Sequence, residues 1–264
     1  MEQERFELVR VTRENLDREH ICCAISNERD VQVRSKKDWL RERFDEGLVF
    51  LKGNVRGKCF IEYLPAENAW APVEADGWMY VNCLWVSGRF KGNGYSNLLL
   101  DACIADSREK GRKGLVMLSS KKKAGFLADP KYLRHKGFVP ADAAAPYFEL
   151  MCLPFEQAAE KPRFRACVKN PPPVAEGFAL YYTNQCPFTA KYVLLLQAVA
   201  AERNVPLEVV RIDSGEKARS APCPFTAFSL FYNGAFVTHE ILSEQKFAAI
   251  LDEKGLESAK ATGG

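Results

Sequence analysis

Histidine is scarce: His20, His135 and His239 are the only three in 264 residues, and they lie far apart. None of the nine cysteines forms a CxxC pair, and Cys22 and Cys23 are adjacent, a poor geometry for chelating zinc. No metal site is therefore expected. No apolar run approaches the ~18–20 residues that span a bilayer, so no membrane partner is expected. The start, MEQERFELVR, is charged from its second residue, which argues against a secretory leader. A net charge of +3 is too mild to point to nucleic acid. An odd cysteine count, with Cys59, Cys83 and Cys152 inside apolar segments, suits reduced thiols and a cytoplasmic protein.

What remains is ordinary globular composition, 47% hydrophobic and 27% charged, in a chain long enough for two domains. The sharpest break is Asn170-Pro171-Pro172-Pro173-Val174-Ala175-Glu176-Gly177, whose prolines favour an extended spacer. The expected division is 1–155, a proline-rich linker zone at 156–176, and 177–264. There is no internal repeat and no low-complexity tract.

In the first part FELVRVT reads as a strand, followed by a helix-like stretch from Asn15 to Ile25. SKKDWLRERFDEG reads as a second helix, with Ser35 as cap and Gly47 as stop. LVFLKGN and GKCFIEYL suggest a hairpin, and MYVNCLWV a central strand buried on both faces. SNLLLDACIADSREKG is an amphipathic helix ended by Gly111, GLVMLSS a buried strand, and GFVPAD with YFELMCLPF a closing strand pair. The second part reads as strand, helix, strand, a hairpin across Asn233-Gly234, and helix.

The strongest local signal is Arg89-Phe90-Lys91-Gly92-Asn93-Gly94-Tyr95-Ser96, between the central strand and the amphipathic helix. Gly92 and Gly94 allow positive φ and close backbone approach, and the helix N-terminus presents unpaired N–H groups suited to phosphate. Neither GxxxxGK[ST] nor GxGxxG is present, so this is neither a Walker loop nor a dinucleotide fingerprint. A plain strand–helix turn is the bland alternative.

R-x-x-G-x-G after a central strand resembles the acetyl-coenzyme A loop of the GNAT N-acetyltransferases. The order of elements over about residues 6–155 resembles that superfamily too, down to Tyr132-Leu133-Arg134-His135-Lys136-Gly137-Phe138. The resemblance implies a mixed twisted α/β sheet flanked by helices, acetyl-coenzyme A as cosubstrate, and transfer to the amine of a small molecule or peptide. It implies that backbone N–H groups of Leu84, Trp85 and Val86 polarise the thioester carbonyl, and that Arg89 and Lys91 to Ser96 hold the pyrophosphate. Ser119 and Ser120 would contact the pantetheine or the amine, or else cap a helix, and Lys121 to Lys123 would face the adenosine phosphates or solvent. Tyr132 would be the general acid, although the family's usual slot is Leu133, one residue and about 100° further round a helix. For the base, Glu62, Glu67 and Asp76 are candidates, each with a solvated strand end as the alternative. The acceptor pocket would come from ENAWAPVEAD and the region Ala143 to Tyr147. Nothing in the sequence points to an oligomeric state.

In the second part Cys186, in Gln185-Cys186-Pro187-Phe188-Thr189, sits after a strand at a helix start, where the dipole would lower its pKa. The element order resembles a thioredoxin-like α/β domain with Thr189 in place of the second CxxC cysteine. More closely, CPFT and SLFYNGAFVTHEIL resemble the YoaP-like domain found behind GNAT domains. Two readings stay open. One is a disused redox scaffold serving as a binding module. The other is a thiol-dependent redox or sensing protein acting through Cys186, with Cys223 as resolving partner and a GNAT module that merely binds coenzyme A.

Overall fold

The computed structural model describes residues 6–24, 27–156, 160–170 and 176–256. The first half comprises β1 (Leu8–Val11), α1 (Val31–Arg43), β2 (Val49–Gly53), β3 (Cys59–Pro65), β4 (Val73–Glu74), β5 (Met79–Val86), α2 (Tyr95–Glu109), β6 (Gly114–Ser120), α3 (Pro130–His135), β7 (Val139–Ala144) and β8 (Phe148–Pro154), with the short β9 (Arg163–Phe164) and α4 (Ala166–Lys169) after it. Seven of these strands form one mixed sheet in the order β1-β2-β3-β5-β6-β8-β7. One face packs under α2 through Leu99, Leu100 and Cys103. The other packs under α1 through Trp39 and Leu40.

A single extra residue shapes the centre of this sheet. Along the β3–β5 pairing Glu62 faces Cys83 while Tyr63 faces Val81, so Asn82 is bulged out of register. The apolar phase of β5 shifts with it: Met79 and Val81 before the bulge share a core with Leu84 and Val86 after it. A bulge bends and twists its strand. Here the parallel pairing of β5 with β6 runs from Met79↔Leu115 to Val81↔Met117 and stops. From Asn82 onward β5 keeps β3 as its neighbour while β6 goes its own way, bridging at Ser119 to Ala128. The central strand is therefore buried on both faces only as far as Val81; its second half borders a wedge-shaped opening.

Three local expectations change. Asn15 begins turns rather than a helix: its side chain accepts from Thr12 N and donates to Arg10 O, and Cys22 and Ala24 take positive φ. Ile25 lies outside the described residues. Asp30, not Ser35, caps α1, accepting from Gln32 N at 2.8 Å, whereas Gly47 does end that helical stretch with φ of 86°. After β8 the chain does not simply extend: β9 pairs with β4, and Phe164 and Val168 are buried. Pro171 to Pro173 lie outside the described residues.

The second half contains β10 (Phe178–Tyr182), α5 (Thr189–Glu202), β11 (Leu207–Arg211), α6 (Gly215–Arg219), β12 (Phe228–Tyr232), β13 (Ala235–Thr238) and α7 (Glu244–Glu253). Its sheet runs β11-β10-β12-β13, with β10 parallel to β11 and antiparallel to β12. Asn233 and Gly234 take the left-handed values a tight hairpin demands. Alternation along β12 sorts its side chains. Phe228 and Leu230 join the core under α5 and α7, while Phe231 joins the core of the first half. The two halves thus share buried surface. Thr226 Oγ1 donates to Trp70 O at 2.6 Å, and Tyr147 donates to His239 Nδ1 at 2.7 Å. Within ENAWAPVEAD, Trp70, Ala71 and Val73 are buried, while Glu74, Ala75 and Asp76 line a cavity of about 280 Å³ with Lys113 and Arg163; Tyr147 of the Ala143–Tyr147 region is built into the contact between halves.

Candidate active site

The glycine loop forms one end of the site. Gly92 and Gly94 have φ of 82° and 77°, and a Cβ at either would meet nothing within 4 Å. Both glycines have open space around the position of a Cβ, and both line the cleft. Gly94 is the N-cap of α2 and brings no side chain to its first turn, which contains no acidic residue. The first N–H groups of a helix have no i−4 partner within it; Asn97 N donates to Gly94 O, which leaves those of Tyr95 and Ser96 for an anion. The cleft, of about 210 Å³, is lined by Leu84, Val86, Lys91, Gly92, Gly94, Tyr95, Ser96 and Tyr132.

Tyr132 does face this cleft. Leu133 is fully buried in the core, and one residue of helical rotation leaves Tyr132 half-buried beside the loop. Its hydroxyl donates to Ser96 O at 3.1 Å. Burial raises its pKa, so it is held as the protonated phenol.

The wedge beside β5 leads from this cleft to a second cavity. Its lining shares Leu84, Met117 and Ala128 with the cleft. It shares Asn82, Cys83, Trp85, Phe126, Gln185, Phe225 and Ala227 with a cavity of about 200 Å³ between the two halves. That cavity has Lys36 and Glu62 among its lining. Glu62 is not a solvated strand end. It is 1% exposed, pairs with Lys36 Nζ at 2.5 Å, and accepts from Asn82 Nδ2 at 2.9 Å. The bulge residue thus holds the carboxylate that the wedge opens onto. Glu67 binds Arg112 and the Gly77 N–H at the surface, and Asp76 stands in the turn before β5, so neither reaches the cleft or the inter-half cavity.

The chain is 43% identical over 245 residues to a Bacillus subtilis (strain 168) protein named uncharacterized N-acetyltransferase YoaP, covering 92% of this chain and 98% of that one. The chain belongs to the YoaP family of N-acetyltransferases. Residues 206–248 also match the family described as YoaP-like. Similar solved structures include a GNAT acetyltransferase from Brucella melitensis in complex with acetyl-CoA, at 16% identity and TM-score 0.38 over 62% of this chain and 98% of that one. Another is yncA of Salmonella typhimurium with acetyl-CoA, at 16% identity and TM-score 0.40 over 59% and 98%.

Not every residue expected of this YoaP-family site lies in it. Ser119 and Ser120 are fully buried, and their hydroxyls donate to Ala128 O and Lys122 O, which brace the β6–α3 segment. Asn93 turns back to donate to Arg89 O, and the Arg89 guanidinium lies over the Phe90 ring; neither lines the cleft. The Trp85 side chain belongs to the inter-half cavity, leaving only its backbone to the wedge strand.

The structure gives the thiol expectation no support. α5 begins at Thr189, three residues beyond Cys186, and burial pushes the Cys186 thiol up to about 12 against the lowering effect of the Phe188 N–H. The groups that influence it electrostatically are Cys23, Lys36 and Glu62, not Cys223. Cys223 is itself buried and raised to about 12, and both are free thiols. Thr189, in the second CxxC position, is fully buried and donates to Thr183 O and Cys186 O at 2.7 Å, fastening the loop. Among the described residues no three His, Cys, Asp or Glu side chains are grouped so as to hold a metal, and no helix is long and apolar enough to cross a membrane.

Sequence reasoning missed Lys36, Lys58 and Phe188. Asn82 alone left a signal, as the one polar residue within an apolar strand whose phase slips at that point.

Proposed function

We propose that this chain moves an acetyl group from acetyl-coenzyme A to a primary amine, with the donor along the glycine loop and wedge and the acceptor in the inter-half cavity. One observation carries the reading. Three adjoining cavities follow the half of β5 that has parted from β6, from an anion-ready helix terminus past Tyr132 to the buried Glu62. The fit to coenzyme A rests on the two glycine positions, whose missing Cβ atoms leave a cradle, and on the open first turn of α2.

When bound, acetyl-coenzyme A supplies an activated acyl group on sulfur. The protein's part is to hold, polarise and exchange protons. Gly92, Gly94, Tyr95 and Ser96 hold the pyrophosphate mainly through backbone N–H groups, with the Lys91 side chain beside them. The β5 amides beyond the bulge that face away from β3, at Leu84 and Val86, stabilise charge where it develops on the acyl oxygen, whereas the Trp85 N–H falls in the ladder with β3. The amine forms the new N–C bond as the C–S bond breaks. It gives up one proton, which Glu62 receives, and Tyr132 donates one to the departing sulfur. The thiol-dependent alternative has no supporting observation, since Cys186 has neither a lowered pKa nor a second cysteine at Thr189.

The β11-β10-β12-β13 order and strand directions support a thioredoxin-like reading of residues 177–264, following 1–155 and the 156–176 connection. In that reading the fold serves as a wall rather than a redox centre. Nine unpaired cysteines support a cytoplasmic setting.

Calorimetry with coenzyme A tests the donor site. Gly94→Ala and Gly111→Ala both place a Cβ at positive φ with open space around it, so each loses about 1–2 kcal/mol of stability. Only Gly94 lies at the cleft. Gly94→Ala is expected to weaken coenzyme A binding at least about tenfold, with Gly111→Ala binding as the parent does. Equal affinity in both variants refutes the assignment.

A further inference from the structure

Resting on that acetyl-transfer reading, we propose that the acceptor is a compact apolar amino acid, whose carboxylate is bound by Lys58 and whose amine points to Glu62. The inter-half cavity is walled by aromatic rings from both halves, Phe60 and Trp85 from the first and Phe188 and Phe225 from the second. Such walls favour a flat or branched apolar body.

The charges in this cavity are unequal. Its lining holds two cations, Lys36 and Lys58, and one acid, Glu62. Lys36 is committed to Glu62 at 2.5 Å. Among the described residues Lys58 has no carboxylate within ion-pair distance. Its Nζ instead stands 5.6 Å from the Trp85 ring centre and 5.4 Å from that of Phe188, a cation held between one ring of each half. The cavity therefore carries one uncompensated positive charge at a fixed place. A carboxylate supplies its counter-ion, while a polyamine brings like charge to a site of low dielectric. The amine end is directed to the one acid of the lining, Glu62, which is held by Lys36 and Asn82. A bare arylalkylamine fills the apolar space but leaves Lys58 without its partner.

The second half is then part of the specificity device. Phe188 follows the loop that Thr189 fastens, so the segment resembling a redox motif serves to set a ring against Lys58.

The test uses the full chain with L-phenylalanine, phenethylamine and spermidine as probes, read by Trp85 fluorescence and by thiol release from acetyl-coenzyme A. L-phenylalanine is expected to perturb the Trp85 signal, with Trp85→Phe removing that change, and to give the highest kcat/KM of the three. Lys58→Met is expected to lower its kcat/KM about 10- to 100-fold, mainly through KM, and to erase its advantage over phenethylamine; Lys58→Arg retains most of it. Preference of the parent protein for spermidine or phenethylamine overturns the inference, as does an equal loss for every acceptor in Lys58→Met. Coenzyme A calorimetry separates the two readings. Failure of coenzyme A to bind while L-phenylalanine still shifts Trp85 refutes the donor site and with it the acceptor role, and leaves only the amino-acid site in the cavity standing. Coenzyme A binding without any response to L-phenylalanine refutes this inference alone.

Discussion

Glu62→Gln removes the charge from one member of an ion pair whose side chains are 4% and 1% exposed. The Lys36 ammonium is then left buried without an anion, since Asn82, the other group that reaches Glu62, is a neutral amide. Breaking a buried pair from one side costs about 3–5 kcal/mol. At about 2–4 °C per kcal/mol for a chain of this size, thermal melting should fall by roughly 6–20 °C. That loss alone says nothing about catalysis. The double variant Lys36→Met/Glu62→Met supplies the distinction, because replacing both charges by apolar groups of similar volume is commonly neutral or stabilising.

Melting of the double variant is expected to return to within about 1–2 kcal/mol of the parent. Turnover, followed as thiol release at saturating acetyl-coenzyme A, should stay about 10²–10⁴-fold down, the usual contribution of a positioned general base. Coenzyme A affinity serves as the control, because neither residue touches the loop cleft. A double variant that regains both stability and turnover would show that the pair only holds the cavity floor. A Glu62→Gln protein that melts with the parent would show that Lys36 finds another anion, and the argument from burial would fail.

The other perturbations act elsewhere in the site and at the contact between halves. Tyr132→Phe keeps the ring against the loop but removes the proton donor and its bond to Ser96 O, so kcat should drop about 10²–10⁴-fold with coenzyme A affinity little changed; near-normal kcat would assign the protonation to water. His239 is buried as the neutral ring, with Nε2–H donating to Gly125 O and Nδ1 accepting from Tyr147, and burial lowers its pKa. The unfolded chain takes up that proton first, at about pH 6.5. The stabilisation is therefore complete above that pH and is lost as pH falls towards the lower folded value. Melting should decline from pH 7 to 5, with a shallower slope in His239→Asn; an identical slope in the variant refutes the assignment, and His20, lowered by the same cause, supplies what slope remains.

Much of this was legible because local chemistry and tertiary demand agree. Gly92 and Gly94 were read as positive-φ positions from their place between a buried strand and a helix, and both adopt it. Asn233-Gly234 likewise dictates its hairpin. Asn15 to Ile25 misled because its apolar residues suit a helix, yet the Asn15 side chain competes for nearby backbone groups and favours turns. Glu62 misled in the opposite direction. An acidic residue in a strand is ordinarily solvated, and only α1, 26 residues earlier, brings the Lys36 ammonium that allows its burial. Cys186 was judged by its distance from a helix start, and the deciding influence is desolvation by a surface more than a hundred residues away in sequence.

These misreadings share a physical cause that also bears on how the chain works. Local sequence reports propensities and dipoles, whereas the chemistry here depends on which surface covers which. Glu62, Cys83, Lys58 and Trp85 belong to the first half, yet the cavity around them is closed by Gln185, Phe188 and Phe225 of the second. Phe231 of β12 enters the first half's core, and the Tyr147–His239–Gly125 bonds run from half to half and back. Removing the second half would expose that apolar surface and wet the Lys36–Glu62 pair. Water would then screen the carboxylate and weaken every charge interaction in the cavity. In the proposed arrangement the second half serves the acceptor side by excluding water and presenting Phe188 to Lys58, work for which a reactive thiol is not required.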